Sequence, residues 1–299
     1  MTSNNALPLV WIVIPTWNRC KDLLACLESI QALDYTNWEI VVIDNASTDE
    51  TVTAVHSHFP HADLIALEKN RGAAAASNIG FDYALSRGAD FVLRLDSDTI
   101  LAPDFLIHLV QAAQADSQLG IVVGKIYYHA EPQRIWSLGA RRTSWLYTTT
   151  ELGRDQLDTS IYQQTLTIDY AWSTGMLLSR HALELTHGFD PDFFVYYEEM
   201  DLSQRVRALG LQLRSVPQAI MWHKVGELSR SPWVAYNWAR GKMLFFRKHS
   251  HGLHRLTLIV YAYAYALFRV LRPKQGAGNR GPLKDTLSGL TAGLRLPLK

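Results

Sequence analysis

The sequence predicts an α/β protein with a mostly parallel, Rossmann-like sheet flanked by helices and a C-terminal helical extension. Three observations lead there. Short apolar segments alternate with segments of helical periodicity through the first hundred residues. The short segments are nearly continuous apolar runs, as expected of parallel strands buried on both faces. Aspartates stand at the ends of those runs, Asp44 and the pair Asp96/Asp98, where open α/β sheets bind their ligands.

The elements follow in order. Val10 to Pro15 (VWIVIP) reads as the first strand, and CKDLLACLESIQAL as the first helix. Trp38 to Ile43 is the second strand, DNASTDETVTAVHSHF a loop and helix, and Leu64 to Leu67 a short third strand. GAAAASNIGFDYALSRG reads as helix, and DFVLRL as a strand running into Asp96. The middle, roughly residues 124–225, mixes short strands with one clear helix, EEMDLSQRVRALG, stopped by Gly210. Trp233 to Lys248 is helical and strongly aromatic, PKQGAGNRGP is a hinge, and Leu283, Leu287, Leu290 and Leu294 mark an amphipathic last helix. The expected units are a catalytic domain over 1–250, divided into halves 1–123 and 124–250, and membrane-associating helices over 251–299.

Composition narrows the function. Of 299 residues, 48% are hydrophobic and 19% charged, which is globular. The 29 basic and 28 acidic side chains nearly cancel, which argues against nucleic-acid binding driven by bulk charge. Cys20 and Cys26 suit neither a zinc site nor a redox pair and fit a reducing compartment. MTSNNALPLVWIVIP lacks a basic n-region and a small-residue cleavage site, so it reads as a first strand and the expected compartment is the cytoplasm.

Chemistry concentrates in two acidic segments. In LRLDSDTIL, two carboxylates separated by one serine end a buried strand, and their repulsion is costly without a cation or strong donors. Such a pair can hold Mg²⁺ or Mn²⁺ shared with substrate phosphates. In FDPDFFVYYEEMDLSQR, helix-dipole and i,i+4 effects account for Asp201 with Arg205. They leave unexplained why Glu198 and Glu199 follow an aromatic run that should raise a carboxylate pKa toward general-base use. Asp44 lacks the glycine-rich turn of a dinucleotide site, and GAAAASNIG lacks the Lys-Ser/Thr of a phosphate loop. Asp44-Asn45 with Ser47-Thr48-Asp49 also suits a turn and helix cap. The histidine groups 56/58/61 and 249/251/254 fit solvated loops or helix ends better than metal sites, since no partner acids sit near them in sequence.

In this order IVIPTWNR, VVIDNASTDET, NRGAAAASNIG, LRLDSDTIL, WSTGMLLSR, GFDPDFFVYYEEMDLSQR and MWH resemble the family 2 inverting glycosyltransferases, which have the GT-A fold and use nucleotide-diphosphate sugars. The resemblance covers Leu9 to Lys248, and FFVYYEEMDL with YNWARGKMLFFRKH is most similar to bacterial rhamnosyltransferase-like members that build surface polysaccharides. It implies that Pro15, Thr16, Asn18 and Arg19 with Asp44 and Asn45 cradle the nucleotide, Asp44 meeting the base. Arg71 and Asn78 would line that cleft. Asp96 and Ser97 would lie by the ribose, and Asp98 and His223 would bind a divalent cation. Glu199 would be the base, with Glu198 as the alternative because many members have Glu-Asp there. Asp201 and Trp172-Ser173-Thr174-Gly175 would lie near the acceptor. The implied function is transfer of rhamnose or another hexose to a hydroxyl of a glycan or lipid-linked acceptor. Two alternatives stand beside it: a catalytically silent sugar-nucleotide or partner binder, and a nucleotidyltransferase.

Leu256 to Leu271 is almost wholly apolar, but as a helix it measures about 24 Å, short of a ~30 Å hydrocarbon core, and Arg269 interrupts it. With Arg247, Lys248, Arg255, Arg272 and Lys274 nearby, it reads as a helix lying in the inner face of the cell membrane. The alternative is packing on the catalytic domain or on a second subunit in a homo-oligomer.

Overall fold

The structure is a computed structural model that describes residues 7–225, 231–271 and 283–298. The expected hinge at 273–282 and the side chains of Arg269, Arg272 and Lys274 lie outside what is described. The alternation predicted for the first hundred residues is present. It runs β1 (Val10–Thr16), α1 (Cys20–Gln31), β2 (Trp38–Asp44), α2 (Thr51–His58), β3 (Asp63–Ala66), α3 (Gly72–Ser86) and β4 (Phe91–Leu95). Then come β5 (Thr99–Leu101), α4 (Phe105–Ala115), β6 (Leu119–Tyr128), β7 (Glu131–Ser137), β8 (Ala140–Arg142), β9 (Thr149–Glu151) and β10 (Leu166–Ile168). The remainder is β11 (Gly175–Ser179), α5 (Arg180–Thr186), α6 (Glu198–Ala208), β12 (Gln212–His223), α7 (Pro232–Lys248), α8 (Gly252–Leu271) and α9 (Leu283–Arg295).

One ten-stranded sheet runs in the order β10-β12-β6-β11-β4-β1-β2-β3, with β5 joined to β12 and β7 to β6. The β4-β1-β2-β3 half is parallel, whereas β11 runs antiparallel to both β4 and β6. Alternating strand residues feed two cores. Val10, Ile12, Ile14 and Val42 face α1 and α4, while Trp11, Val13, Val41 and Ile43 face α3, α5 and α6. The alanines and glycine of α3 let it lie close to the sheet, since a Cβ on Gly80 would come 2.2 Å from Val13 Cγ1. The expected division at 123/124 falls inside β6.

A third core joins α7, α8 and α9 to Phe193 and Tyr197. Gly289 and Gly293 bring α9 against the α7 backbone, where a Cβ would meet Tyr236 O at 2.2 Å and Arg240 O at 2.4 Å. Leu283, Leu287 and Leu290 follow the expected stripe into this core. Leu294 does not, because Gly293 takes the contact and leaves it exposed. Among the described residues no helix is long and apolar enough to cross a membrane. Leu258, Ala262 and Ala266 of α8 are buried, whereas Leu253, Leu256, Val260 and Leu267 stay exposed on its other side. Two basic residues that precede α8 are engaged internally. Arg247 donates to Gly293 O and Leu296 O, and Lys248 pairs with Asp190 and Asp201.

Candidate active site

The parallel strands end together at a cavity of approximately 550 Å³. Pro15 and Thr16 from β1, Arg19 before α1, Asn45 after β2, and Asp96, Ser97 and Asp98 after β4 all line it, as does His223 from the end of β12. Strand β5 explains how His223 arrives. It starts directly after Asp98 and pairs antiparallel with β12, His223 opposite Thr99. Asp98 Oδ1 thereby lies 3.2 Å from His223 Nε2, and Asp98 Oδ2 lies 3.2 Å from Arg19 Nη1.

Asp96, Asp98 and His223 each offer a ligand atom within 4.8 Å of the others, and no other such cluster of acids, histidines or cysteines occurs among the described residues. Two oxygens and an imidazole form a donor set that suits Mn²⁺ or Mg²⁺ completed by phosphate oxygens. His223 Nδ1 is buried without a hydrogen-bond partner, and Trp136 meets the ring edge-on at 4.9 Å. The residues present fit a divalent cation.

Asp96 is held by Arg94, two residues earlier on the same strand face and itself buried. Burial pushes the Asp96 carboxyl up, but the Arg94 guanidinium and His223 outweigh it and hold the group below the usual carboxylate range. Arg94 Nη1 also donates to Ser173 O at 3.0 Å, and Thr174 O accepts from Asp96 N at 3.0 Å. Ser173 and Thr174 therefore scaffold the acids, and Gly175 packs on Met221. Ser173, Thr174 and Gly175 line no cavity at the site, and of WSTG only Trp172 does.

A second cavity, approximately 310 Å³, adjoins the first, and Tyr196 is a wall of both. Glu199 lines it, at the start of α6. Burial, then the neighbouring Glu198, push the Glu199 carboxyl well above the ordinary range. Glu198 is also raised, chiefly by burial, but lines neither cavity. The run that carries them is bent, with Phe194, Tyr196 and Tyr197 at φ 64°, 66° and 72°. Gly72 makes room for it, since a Cβ there would come 2.5 Å from the Phe194 ring.

Several expected residues do other work. Asp201 is fully buried and lines neither cavity, because Arg205, Lys248 and His249 all reach its carboxylate. Burial pushes it up, but the His249 hydrogen bond and the Arg205 and Lys248 charges bring it down to about 2. Asn78 clamps Phe189, donating to its carbonyl at 2.7 Å and accepting its N–H at 2.8 Å. Asn18 braces the Thr48 N–H at 2.7 Å. Arg71 is absent from both linings, and its backbone N–H donates to Asn45 Oδ1 at 2.8 Å. Asp44 caps Ser47 N through Oδ2 at 3.0 Å. Its buried Oδ1 lacks a partner, as does Thr16 Oγ1 at the adjoining strand position.

Sequence reasoning missed Arg94, Asn70 and Gly72 of the first cavity and most of the aromatic lining of the second. Arg94 was detectable: an arginine in an otherwise apolar strand, two positions before an aspartate, must share its face.

The sheet that carries this strand-end cluster has the GT-A glycosyltransferase fold, as its structural neighbours show. The profile of glycosyl transferase family 2 matches residues 11–184, and the chain belongs to that family. It is 24% identical over 251 residues to the dTDP-rhamnosyl transferase RfbF of Shigella flexneri, covering 80% of each chain. It is also 24% identical over 232 residues to the poly-beta-1,6-N-acetyl-D-glucosamine synthase of Staphylococcus epidermidis, covering 77% of this chain and only 53% of that protein. Among solved structures, the mannosyltransferase PcManGT of Pyrobaculum calidifontis, in complex with GDP-Man and Mn²⁺, superposes with TM-score 0.62 at 19% identity. That match covers 97% of this chain and 87% of the other.

Proposed function

We propose that the protein is a metal-dependent, inverting glycosyltransferase that moves rhamnose or another hexose from a nucleotide-diphosphate donor to a hydroxyl of a glycan or lipid-linked acceptor in surface-polysaccharide synthesis. One observation carries the reading. A cluster fit for a cation lines one cavity, and the buried Glu199 carboxyl, its pKa raised by burial and so made more basic, lines the next, with Tyr196 common to both. The likeness to a dTDP-rhamnosyl transferase supports the choice of donor class.

In this reading the nucleotide lies along the strand ends. Thr16, in the cavity lining, carries an unpartnered hydroxyl for its base, and Asp44, which does not itself line the cavity, would meet the base through its unpartnered Oδ1. Asp98 and His223 would hold Mg²⁺ or Mn²⁺, with Asp96 beside them, and the bound cation would neutralise the leaving diphosphate. Arg19, 3.2 Å from Asp98, adds positive charge on the same side. Glu199, in its ionised form, takes the proton of the acceptor hydroxyl. The oxygen then bonds to the anomeric carbon on the face opposite the diphosphate, whose C–O bond breaks and inverts the centre. A single displacement of this kind needs no enzyme nucleophile.

The exposed apolar side of α8 supports peripheral docking on the inner membrane face, where a lipid-linked acceptor would sit. Screening nucleotide sugars for turnover with and without EDTA tests the enzyme reading. Absence of turnover with every donor would leave a silent nucleotide-sugar binder, and turnover unaffected by EDTA would remove the metal from the reading.

A further inference from the structure

Nothing so far accounts for the aromatic cavity into which Glu199 projects. Besides Glu199 it is walled by Trp172, Tyr196, Tyr197, Trp238, Tyr261 and Tyr265. The last two come from α8, the element expected to lie on the membrane or, alternatively, to pack on the catalytic domain or a second subunit. They stand one turn apart, at the boundary between the packed side of α8 and its exposed side. We propose that this cavity is the acceptor's pyranose subsite and that α8, through Tyr261 and Tyr265, is part of it. The inference rests on the glycosyltransferase reading of Glu199.

Its volume, approximately 310 Å³, equals on the order of ten waters, enough for a sugar ring but not for an extended chain. A pyranose presents apolar C–H faces and a polar rim, and matches a pocket that sets aromatic faces beside the polar groups of Thr148, Thr149, Glu151 and Lys242. Lys242 fixes the walls. Its ammonium lies 5.1–5.4 Å from the ring centroids of Trp238, Phe246, Tyr261 and Tyr265, tying α7 to α8 by cation–π attraction. The rings are thus preset before a sugar enters, and Glu199 supplies the group that meets its hydroxyl.

Saturation-transfer NMR on the full chain tests this, with methyl α-L-rhamnopyranoside and methyl β-D-glucopyranoside as probes and irradiation of the aromatic protons. Transfer to the ring C–H protons of at least one glycoside is expected for the wild type and for Tyr261→Phe/Tyr265→Phe. Affinity should fall about tenfold in Tyr261→Ala/Tyr265→Ala, a few-fold for each lost ring face. Leu256→Ser, on the exposed side of the same helix, should leave transfer unchanged. Absence of transfer in the wild type, or equal transfer in the Ala variant, overturns the proposal. Binding of Mn²⁺ with UDP, dTDP or GDP is measured in parallel. Its retention in the Ala variant shows an intact fold, and its absence from the wild type removes the glycosyltransferase reading independently of the sugar result.

Discussion

Asp98 Oδ1 and His223 Nε2 lie 3.2 Å apart, although one follows β4 and the other ends β12. Pairing of β5 with β12 makes the meeting, so the site depends on a long-range register and not on a local motif. Asp98→Asn and His223→Ala should each weaken Mn²⁺ binding, measured by calorimetry, by about tenfold or more, the loss that changing even a metal's outer partners causes. Unchanged Mn²⁺ affinity in both would remove the cation from this cluster.

The adjacent glutamates face differently: Glu199 lines the second cavity and Glu198 does not, which favours Glu199 as the proposed base. Glu199→Gln should lower kcat by about 10²–10⁴, the usual worth of a general base, while nucleotide binding stays within twofold of wild type. Glu198→Gln should retain most of the turnover. Reversal of the two results would pass the role to Glu198.

Because burial raises the Glu199 pKa, the folded chain holds that proton at pH values where the unfolded chain has released it. The associated stability is complete below the unfolded value and is lost as pH rises through the folded one. Glu199→Gln should therefore raise Tm more at pH 8 than at pH 5. Turnover should show an acid limb above the ordinary carboxylate range. A Tm difference that is the same at both pH values would contradict the buried, raised carboxyl.

Asp201 has the opposite sign. Depressed to about 2, it contributes stability above the unfolded carboxylate value, and that contribution disappears as pH falls from about 4 toward 2. Asp201→Asn leaves Lys248, Arg205 and His249 around a neutral amide and should cost about 3 kcal/mol in urea unfolding at pH 7. A loss below about 1 kcal/mol would make the network a screened surface cluster.

Replacing Leu253, Leu256, Val260 and Leu267 together by serine should abolish co-sedimentation with anionic vesicles and leave the fold intact, since all four are exposed. Equal sedimentation of variant and wild type would remove α8 as the membrane contact.

The parallel half of the sheet was legible because doubly buried strands print as apolar runs and their helices as periodic ones. The acids at strand ends were legible for the same reason, since a charge after such a run has few structural uses. The partners of Asp201 and Asn78 were not. Lys248, His249 and Phe189 are remote in sequence, and nothing local shows that a side chain will be consumed by packing. Amphipathicity marked α9 as a helix, but it could not say that Gly293 would displace Leu294 or that Tyr261 and Tyr265 would close a cavity.

Tyr196 belongs to two chambers at once. With one shared partition, the affinities for the proposed donor and acceptor would not be separate quantities. Any change of that ring should move both Michaelis constants together, and filling one chamber should be felt as altered occupancy of the other.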